Sequence, residues 1–209
     1  MTQIAVPYFC ARPRAASSAG VLLFMEGNGM SPQLLRVAQR LAGEGYHVVA
    51  PDVFHRFGGS DPERSMAEGH IWKLTDDEVV DDVRECVETL RDFGCTKLGA
   101  TGFCMGGRLS YLAASRGLVD AAAPFYGVNM SELPAPTCPL AISMGSLDAY
   151  VPAADLAALQ ARHGDDLVVY EGADHGFFRD GSPAYHPDSA SRAWARVTHL
   201  FATQLQPGI

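Results

Sequence analysis

A glycine-rich segment with a central cysteine is the feature of the sequence best suited to chemistry, and it reads Gly102-Phe-Cys-Met-Gly-Gly107. It lies between a predicted strand, 97–101, and a predicted helix, 108–116, which is the setting of a nucleophile elbow. Such a turn strains its central residue and exposes that side chain above the sheet. Cys104 is therefore the candidate nucleophile, because the start of a helix favours the reactive thiolate. The alternatives are an inert buried cysteine and a dinucleotide-binding turn, although Asp120 lies on the wrong side of the next strand for the latter.

A nucleophile elbow requires an acid and a histidine further along the chain, each in a loop that follows a core strand. Asp148 follows the predicted strand 140–144, and His175 follows the predicted strand 167–170. Taken alone, the aspartate suggests a turn or capping carboxylate, and the histidine suggests an ordinary loop side chain. Their order and their shared position after strands favour a Cys-His-Asp triad instead. Asp174 is a weaker candidate acid, since adjacency to the histidine points its side chain elsewhere.

Alternating strand and helix patterns must position these residues. Strands are predicted at 20–25, 47–50, 97–101, 121–126, 140–144 and 167–170, and helices at 31–41, 76–93, 108–116, 153–162 and 188–204. Because parallel strands need crossover connections, this alternation predicts an α/β fold with helices on both faces of a parallel sheet. Residues 55–75 lack a sustained period and are predicted to form a long loop with one helical turn, of a length that usually serves a function.

The composition predicts one globular domain over 1–209, since 47% of the 209 residues are hydrophobic and 19% are charged. The net charge of −8, without any basic run, argues against nucleic acid as a partner. A phosphate-binding P-loop contains a Gly-Lys pair. The only two lysines of the chain, Lys73 and Lys97, do not follow a glycine, which excludes a P-loop.

No apolar run approaches the ~20 residues of a membrane-spanning helix, and no signal-peptide pattern is present, so no membrane association is expected. Five widely spaced cysteines fit neither a disulfide framework nor a zinc site, which indicates a reducing, cytoplasmic location. The histidines lack metal-ligand spacing, and neither a metal nor another cofactor is expected.

Three segments together resemble the dienelactone hydrolase family, and they are Gly102-Phe-Cys-Met-Gly-Gly-Arg108, Met144-Gly-Ser-Leu-Asp-Ala-Tyr-Val-Pro152 and Ala173-Asp-His-Gly-Phe177. The similarity extends from about Val21 to the C-terminus. It implies a compact α/β-hydrolase fold without a large cap domain, and it implies that Cys104, His175 and Asp148 form the triad. A single β-like run near Ile4–Cys10 replaces the hairpin expected in the family. The sheet is therefore expected to have one edge strand fewer than the family fold.

The resemblance also assigns roles to groups around the triad. Glu26 matches a family glutamate that partners the resting thiol and helps to deprotonate it, whereas on its own it would suggest a solvent-facing carboxylate. The backbone amide of Gly27 would complete an oxyanion hole with the amide of Met105.

Two arginines bind the substrate carboxylate in characterised lactone hydrolases. Arg179 matches one of them, and Arg64 aligns with the other across a variable loop. Glu68 falls where the family has an aromatic residue, which places an anion near the anion site and argues against an identical substrate.

Aromatic residues near the predicted pocket have two interpretations each. Phe125 and Tyr126, at the end of a central strand, either line the pocket or pack in the core. Trp72 is a weaker pocket candidate of the same kind.

The resemblance thus implies a hydrolase that opens small, carboxylated lactones or esters through a thioester on Cys104, with His175 and Asp148 activating water. One alternative is a hydrolase of the same fold with another ester or thioester as substrate, which Glu68 makes plausible. The other is a non-enzymatic scaffold that senses thiol reagents. The expected partner is a small substrate, and the expected assembly is a monomer or a small homo-oligomer.

Overall fold

A central sheet of seven strands organises residues 5–206, the part of the chain that the computed structural model describes. The strands are β1 (Tyr8–Ala11), β2 (Ala19–Phe24), β3 (His47–Pro51), β4 (Lys97–Phe103), β5 (Ala121–Phe125), β6 (Ile142–Gly145) and β7 (Leu167–Tyr170). Their order is β1-β3-β2-β4-β5-β6-β7, in which β1 pairs antiparallel with β3 and the other pairs are parallel. The predicted α/β class with a mostly parallel sheet is therefore confirmed.

Helices form the connections, as parallel strands require. They are α1 (Pro32–Gly43), α2 (Pro62–Ala67), α3 (His70–Lys73), α4 (Asp76–Asp92), α5 (Met105–Ser115), α6 (Ala153–His163) and α7 (Pro187–Leu205). The long helices begin at side-chain caps: the Ser31 hydroxyl accepts the Leu34 amide proton at 3.2 Å, and Thr75 with Glu78 forms a capping box before α4.

The two faces of the sheet pack against different helices. Gly20 of β2 pairs with Leu98 of β4, and this face meets Leu90 of α4. The next residue along β4, Gly99, points to the opposite face and meets Phe201 of α7. Strand β2 is buried along its whole length, as expected of a strand that helices cover on both faces. The prediction of helices on both faces is confirmed, and the described residues include no inserted cap domain.

The N-terminal run was expected near Ile4–Cys10, and the strand lies at Tyr8–Ala11 on the edge of the sheet. Ile4 lies outside the described residues. The helix after the elbow was predicted at 108–116 but begins at Met105. The reason is that the chain enters the helix immediately after the strained residue, so the glycines belong to the first turn.

The prediction of a long loop at 55–75 is wrong, because this segment folds into a 3₁₀ turn at His55–Phe57 followed by α2 and α3. Helices of one or two turns carry too few residues to show a period, and they depend on contacts with the rest of the protein. We call residues 52–74 the covering segment.

Two contacts hold the covering segment in place. The Arg56 guanidinium donates two hydrogen bonds of 2.7 Å to the carboxylate of Asp82, a buried residue of α4. The His70 ring is fully buried and packs against the rings of Phe54 and Phe57, at centroid distances of 5.4 and 4.9 Å. The ion pair therefore anchors the segment to α4, whereas the aromatic packing joins the two ends of the segment to each other.

Within residues 5–206, no helix combines the length and the hydropathy that crossing a bilayer demands.

Candidate active site

Cys104 occupies a strained turn between β4 and α5. Its backbone angles are φ 56° and ψ −119°, in a region that residues with a side chain rarely adopt. Its amide donates to the carbonyl of Phe125 on the neighbouring strand at 3.1 Å, which fixes the turn against β5. The side chain is half-buried. This geometry is that of the nucleophile elbow predicted from the sequence.

The glycines of the elbow are required by close backbone contacts. A β-carbon at Gly106 would overlap the carbonyl oxygen of Phe24, and one at Gly107 would overlap the carbonyl oxygen of Phe125. These contacts bring the first turn of α5 against the ends of β2 and β5. The start of the helix therefore lies directly after Cys104 and between the neighbouring strands.

His175 and Asp148 meet in the loops after β7 and β6. The Nδ1–H group of His175 donates to Oδ2 of Asp148 at 2.8 Å, and the other carboxylate oxygen accepts the amide proton of Tyr150 at 2.9 Å. The two loops are joined by a backbone hydrogen bond of 2.9 Å from Leu147 to Ala173. The structure thus brings together two residues that the sequence separates by 27 positions.

The charge state of His175 depends on its neighbours. Burial alone lowers its pKa, but hydrogen bonds to the Asp148 carboxylate and the Cys104 side chain, with their negative charges, raise the pKa to about 9. His175 is therefore protonated at neutral pH. An imidazolium beside the sulfur attracts its anionic form, which is the nucleophilic one.

Glu26 lies just after β2 and is nearly buried, with a relative exposure of 7%. Its carboxylate accepts two hydrogen bonds from the Arg179 guanidinium, 3.0 Å from Nε and 2.9 Å from Nη2. The pair also raises the pKa of Arg179. Sequence reasoning assigned Glu26 to the thiol and Arg179 to a substrate carboxylate, and it missed that the two residues bind each other. Both roles remain predictions.

The two expected oxyanion donors are free of protein partners. Among the residues described, neither the amide of Met105 nor that of Gly27 donates to another protein group. Met105 opens α5, where the first amides of a helix have no intrahelical acceptor. A β-carbon at Gly27 would lie 3.4 Å from Cδ1 of Ile71, so α3 of the covering segment packs beside this amide. The packing of α3 beside this amide was not predicted from the sequence.

Arg64 and Glu68 lie in the covering segment and have other partners. The Arg64 side chain is exposed and donates to the carbonyl oxygens of Gly58 and Gly59 at 2.9 Å each. Glu68 is also exposed and pairs with His70 at 3.1 Å. The structure gives Arg64 no contact with the other site residues, and its assignment to the substrate remains a prediction.

The aromatic candidates divide by burial. Phe125 is fully buried and packs against Phe103 and Phe178, at centroid distances of 4.9 and 5.1 Å. Tyr126 is fully buried as well, but its ring meets the His175 imidazole edge-on at 5.0 Å. Trp72 is 86% exposed on α3.

Tyr150 is a site residue that sequence reasoning missed. Its ring lies 4.9 Å from the His175 ring and the residue is 72% exposed, so it lies beside the imidazole at the surface of the protein. The one available signal was its position two residues after Asp148, inside the matched motif.

Possible metal ligands are not clustered. Over residues 5–206, no three His, Cys, Asp or Glu side chains are arranged to hold a metal ion. The absence of a metal or other cofactor remains a prediction.

Comparison with known proteins extends the resemblance from the three short segments to nearly the whole chain. The model of the dienelactone hydrolase family matches residues 6–205. A candidate carboxymethylenebutenolidase of Salmonella typhimurium is 31% identical over 224 residues, covering 94% of this chain and 82% of its own. The carboxymethylenebutenolidase of Pseudomonas putida is 28% identical over 207 residues, covering 91% and 88%. The crystal structure of a candidate dienelactone hydrolase from Klebsiella pneumoniae has a TM-score of 0.82 at 26% identity, covering 94% of this chain and 92% of its own. The expected α/β-hydrolase fold is thereby confirmed.

Proposed function

Because the chain belongs to the dienelactone hydrolase family, we propose that it opens small, carboxylated enol-lactones or esters through a thioester on Cys104. Hydrolysis of ester or lactone bonds is the activity to which the family and its carboxymethylenebutenolidase relatives point. The observation that carries the finer proposal is the geometry around His175. Its ring donates to Asp148 at 2.8 Å, and the Cys104 side chain is close enough to help raise the pKa of His175.

In the first step the Cys104 thiolate attacks the carbonyl carbon of the substrate. The amides of Met105 and Gly27 donate to the oxyanion that forms. The ring C–O bond then breaks, and the departing oxygen leaves as an enolate or takes the proton of His175. The acyl group remains on sulfur as a thioester.

In the second step a water molecule attacks the thioester. Neutral His175, oriented by Asp148, removes a proton from this water, and the C–S bond breaks to release the carboxylic acid and the thiolate. An enolate released from an enol-lactone can accept the water proton instead. A simple ester releases an alcohol, which cannot accept the proton of the attacking water as an enolate can. Simple esters should therefore react more slowly.

The ion pair of Glu26 and Arg179 supports a role for the substrate carboxylate. A carboxylate entering the site competes with Glu26 for the guanidinium, because both present the same group to the same donors. Arg179 then holds the substrate. Glu26, left without its partner, can accept the proton of any Cys104 that is still a thiol.

A second candidate, a hydrolase of the same fold with another ester or thioester as substrate, is favoured by the position of Arg64. That side chain binds backbone carbonyls in the covering segment, so the site holds one of the two arginines expected for an anionic lactone. Relative rates on carboxylated and neutral substrates distinguish the two candidates.

Substitution of the nucleophile tests the proposal directly. Cys104→Ala should abolish hydrolysis of a carboxylated enol-lactone, whereas Cys10→Ala, at a half-buried thiol of the edge strand, should retain it. Thermal unfolding of both variants checks that the fold is intact. Wild-type rates in Cys104→Ala would contradict the triad.

The thioester itself should be observable by mass spectrometry. His175→Asn removes the imidazolium that favours the thiolate, so attack by sulfur should slow and continue through deprotonation by Glu26. Attack by water should slow more, because no base then activates it, and the variant should gain the full mass of the lactone after incubation. No adduct in either this variant or the wild type under turnover would contradict the covalent route.

The cytoplasmic location and the monomer or small homo-oligomer also belong to the proposal. Within residues 5–206 all five cysteines are free thiols, which is compatible with a reducing compartment.

A further inference from the structure

Tyr126 carries a polar group that the proposed mechanism does not use. The residue is fully buried, and its hydroxyl has no hydrogen-bond partner among residues 5–206. Burying an unpaired hydroxyl is unfavourable, and an orphan of this kind calls for an explanation. Its position at the active site suggests that the partner is a ligand.

The fold fixes the position of Tyr126 tightly. The residue directly follows β5, and its backbone has φ 36°, in the strained left-handed region. Its amide donates to the carbonyl of Ser143 on β6 at 2.8 Å. Its ring packs edge-on against His175 at 5.0 Å and against Phe177 at 5.3 Å. The hydroxyl is therefore held in one place by a strained and well-packed scaffold.

The charges around the hydroxyl are those of the site. Burial raises the pKa of Tyr126 well above its ordinary value, and the charge of Glu26 adds to this while that of Arg179 opposes it. The charges of Cys104 and Asp148 contribute after these two. With its pKa raised, the phenol keeps its proton at neutral pH, so it can donate to an anion.

A carboxylate bound in this site needs more donors than Arg179 supplies. Two carboxylate oxygens can accept about four hydrogen bonds, and the guanidinium fork supplies two. The arginine expected to supply others, Arg64, is exposed and bound to backbone carbonyls. The amides of Met105 and Gly27 are assigned to the oxyanion.

We infer that the Tyr126 hydroxyl is the second donor to the substrate carboxylate, which it binds together with Arg179 once that guanidinium has left Glu26. This inference rests on the proposed function, since it requires that the substrate be an anionic lactone or ester. It makes Tyr126 a determinant of specificity, and it leaves the attack on the carbonyl to the groups already described.

The test uses Tyr126→Phe, which removes the oxygen and keeps the ring against His175. The two substrates are a carboxylated enol-lactone and the same lactone with a carboxamide in place of the carboxylate. For the carboxylated lactone the KM should rise roughly 10- to 100-fold, the range of a hydrogen bond to a charged group, with kcat changed less than about 2-fold. The carboxamide lactone, whose carbonyl oxygen accepts only a weaker, neutral hydrogen bond, should be affected much less.

Tyr170→Phe is the matched control. Tyr170 is also buried, also lacks a hydroxyl partner among the residues described, and also packs against Phe177 at 5.4 Å, but it lies at the end of β7 outside the mechanism. Its substitution should leave the preference for the carboxylated lactone as it is in the wild type.

A binding measurement separates the substrate contact from catalysis. In a Cys104→Ala background, calorimetry should show that Tyr126→Phe weakens binding of the carboxylated lactone by a factor similar to its effect on KM. The thermal midpoint of each variant reports on folding.

Equal effects of Tyr126→Phe on both lactones would overturn the inference, because the hydroxyl would then serve the oxyanion or the fold. No effect on either lactone would overturn it as well. A wild-type enzyme that hydrolyses neither lactone would instead refute the proposed function, and the inference with it. If the wild type showed no preference for the charged lactone, the proposed binding site for the carboxylate would be refuted, and the inference with it.

Discussion

At the scale of single residues, the site depends on which charges are paired before substrate arrives. His175 is stabilised as a cation by Asp148 and Cys104, while Glu26 and Arg179 neutralise each other at 2.9–3.0 Å. Each pair makes a separate prediction, since one concerns protonation and the other a buried ion pair.

The first prediction is that stability falls as His175 loses its proton. Its pKa in the folded protein is about 9, above the ordinary 6.5. The stabilisation is therefore fully present below pH ~6.5 and is lost as the pH rises through about 9, by on the order of 1–3 kcal/mol. Urea unfolding between pH 6 and 10 should show this decline in the wild type.

Two variants control this measurement. Asp148→Asn should show a much smaller decline, because the carboxylate that stabilises the cation is gone. His199→Asn, at an exposed position of α7, should decline as the wild type does. Identical curves for the wild type and Asp148→Asn would refute the assignment.

The second prediction concerns Arg179. Arg179→Ala should raise KM much more for a carboxylated lactone than for a neutral ester, and it should destabilise the fold by about 1–3 kcal/mol by leaving the Glu26 carboxylate buried without a partner. That cost is reduced because the guanidinium is 40% exposed.

Its control is the exposed pair of Arg84 and Asp81, whose side chains are 62% and 69% exposed. Arg84→Ala should change neither stability nor KM measurably. Adding Glu26→Gln to Arg179→Ala should recover part of the lost stability. A double variant as unstable as the sum of both single variants would show that the two residues do not act on each other.

The proposed triad could be suggested from the sequence because its members lie in short motifs that each follow a strand, and the structure brings two of them, His175 and Asp148, into contact. The pairing of Glu26 with Arg179 could not, since 153 positions separate the two residues and each already had another plausible partner. The orphan hydroxyl of Tyr126 was hidden for a similar reason. Periodicity shows that a residue is buried, but it does not show what surrounds the residue.

At the scale of the elements, the elbow is a contact between backbones. Gly107 lies so close to the carbonyl of Phe125 that a methyl group cannot fit. We predict that Gly107→Ala destabilises the protein by ~3 kcal/mol and displaces Cys104, with a loss of activity. Gly43→Ala is the control, because a β-carbon there meets nothing within 4 Å at the end of α1, and it should be neutral or slightly stabilising. Comparable thermal midpoints for the two variants would contradict the packing argument.

The covering segment supplies the fourth prediction. Asp82→Asn should loosen residues 52–74, since Asp82 is 1% exposed and receives both hydrogen bonds from Arg56. Faster hydrogen exchange in this segment, with unchanged exchange in β4, is the expected result. Asp81→Asn alters the neighbouring, exposed carboxylate and should leave exchange unchanged. Uniform exchange changes across the chain would indicate general destabilisation instead.

The helices that are long and have a side-chain cap were predicted correctly from the sequence. Helices α1 and α4 span 12 and 17 residues and have side-chain caps, so their signals are local. Helices α2 and α3 have 6 and 4 residues, and the buried ring of His70 and the Arg56–Asp82 pair hold them. Their partners, Asp82 on α4 and the rings of Phe54 and Phe57 before α2, are too far away along the chain to leave a local pattern, so the sequence predicted a loop.

At the scale of the whole molecule, the sheet gathers groups that are far apart in the chain. Glu26 follows β2, Cys104 follows β4 and Tyr126 follows β5, while Asp148 and His175 follow β6 and β7. All are at the carboxyl ends of parallel strands, where α/β proteins form their crevices. The α/β class was predictable from the alternation of strands and helices, whereas the strand order depends on packing and was not predicted.

One tryptophan of the chain is exposed and the other is buried, so their fluorescence can be distinguished. Trp72 is 86% exposed on α3, next to the isoleucine that touches Gly27, whereas Trp194 is 3% exposed beneath the guanidinium of Arg40. A soluble quencher such as acrylamide reaches the first indole and is screened from the second. The red-edge fluorescence of the protein therefore reports on the surface of α3 beside Gly27, and the buried indole serves as an internal reference.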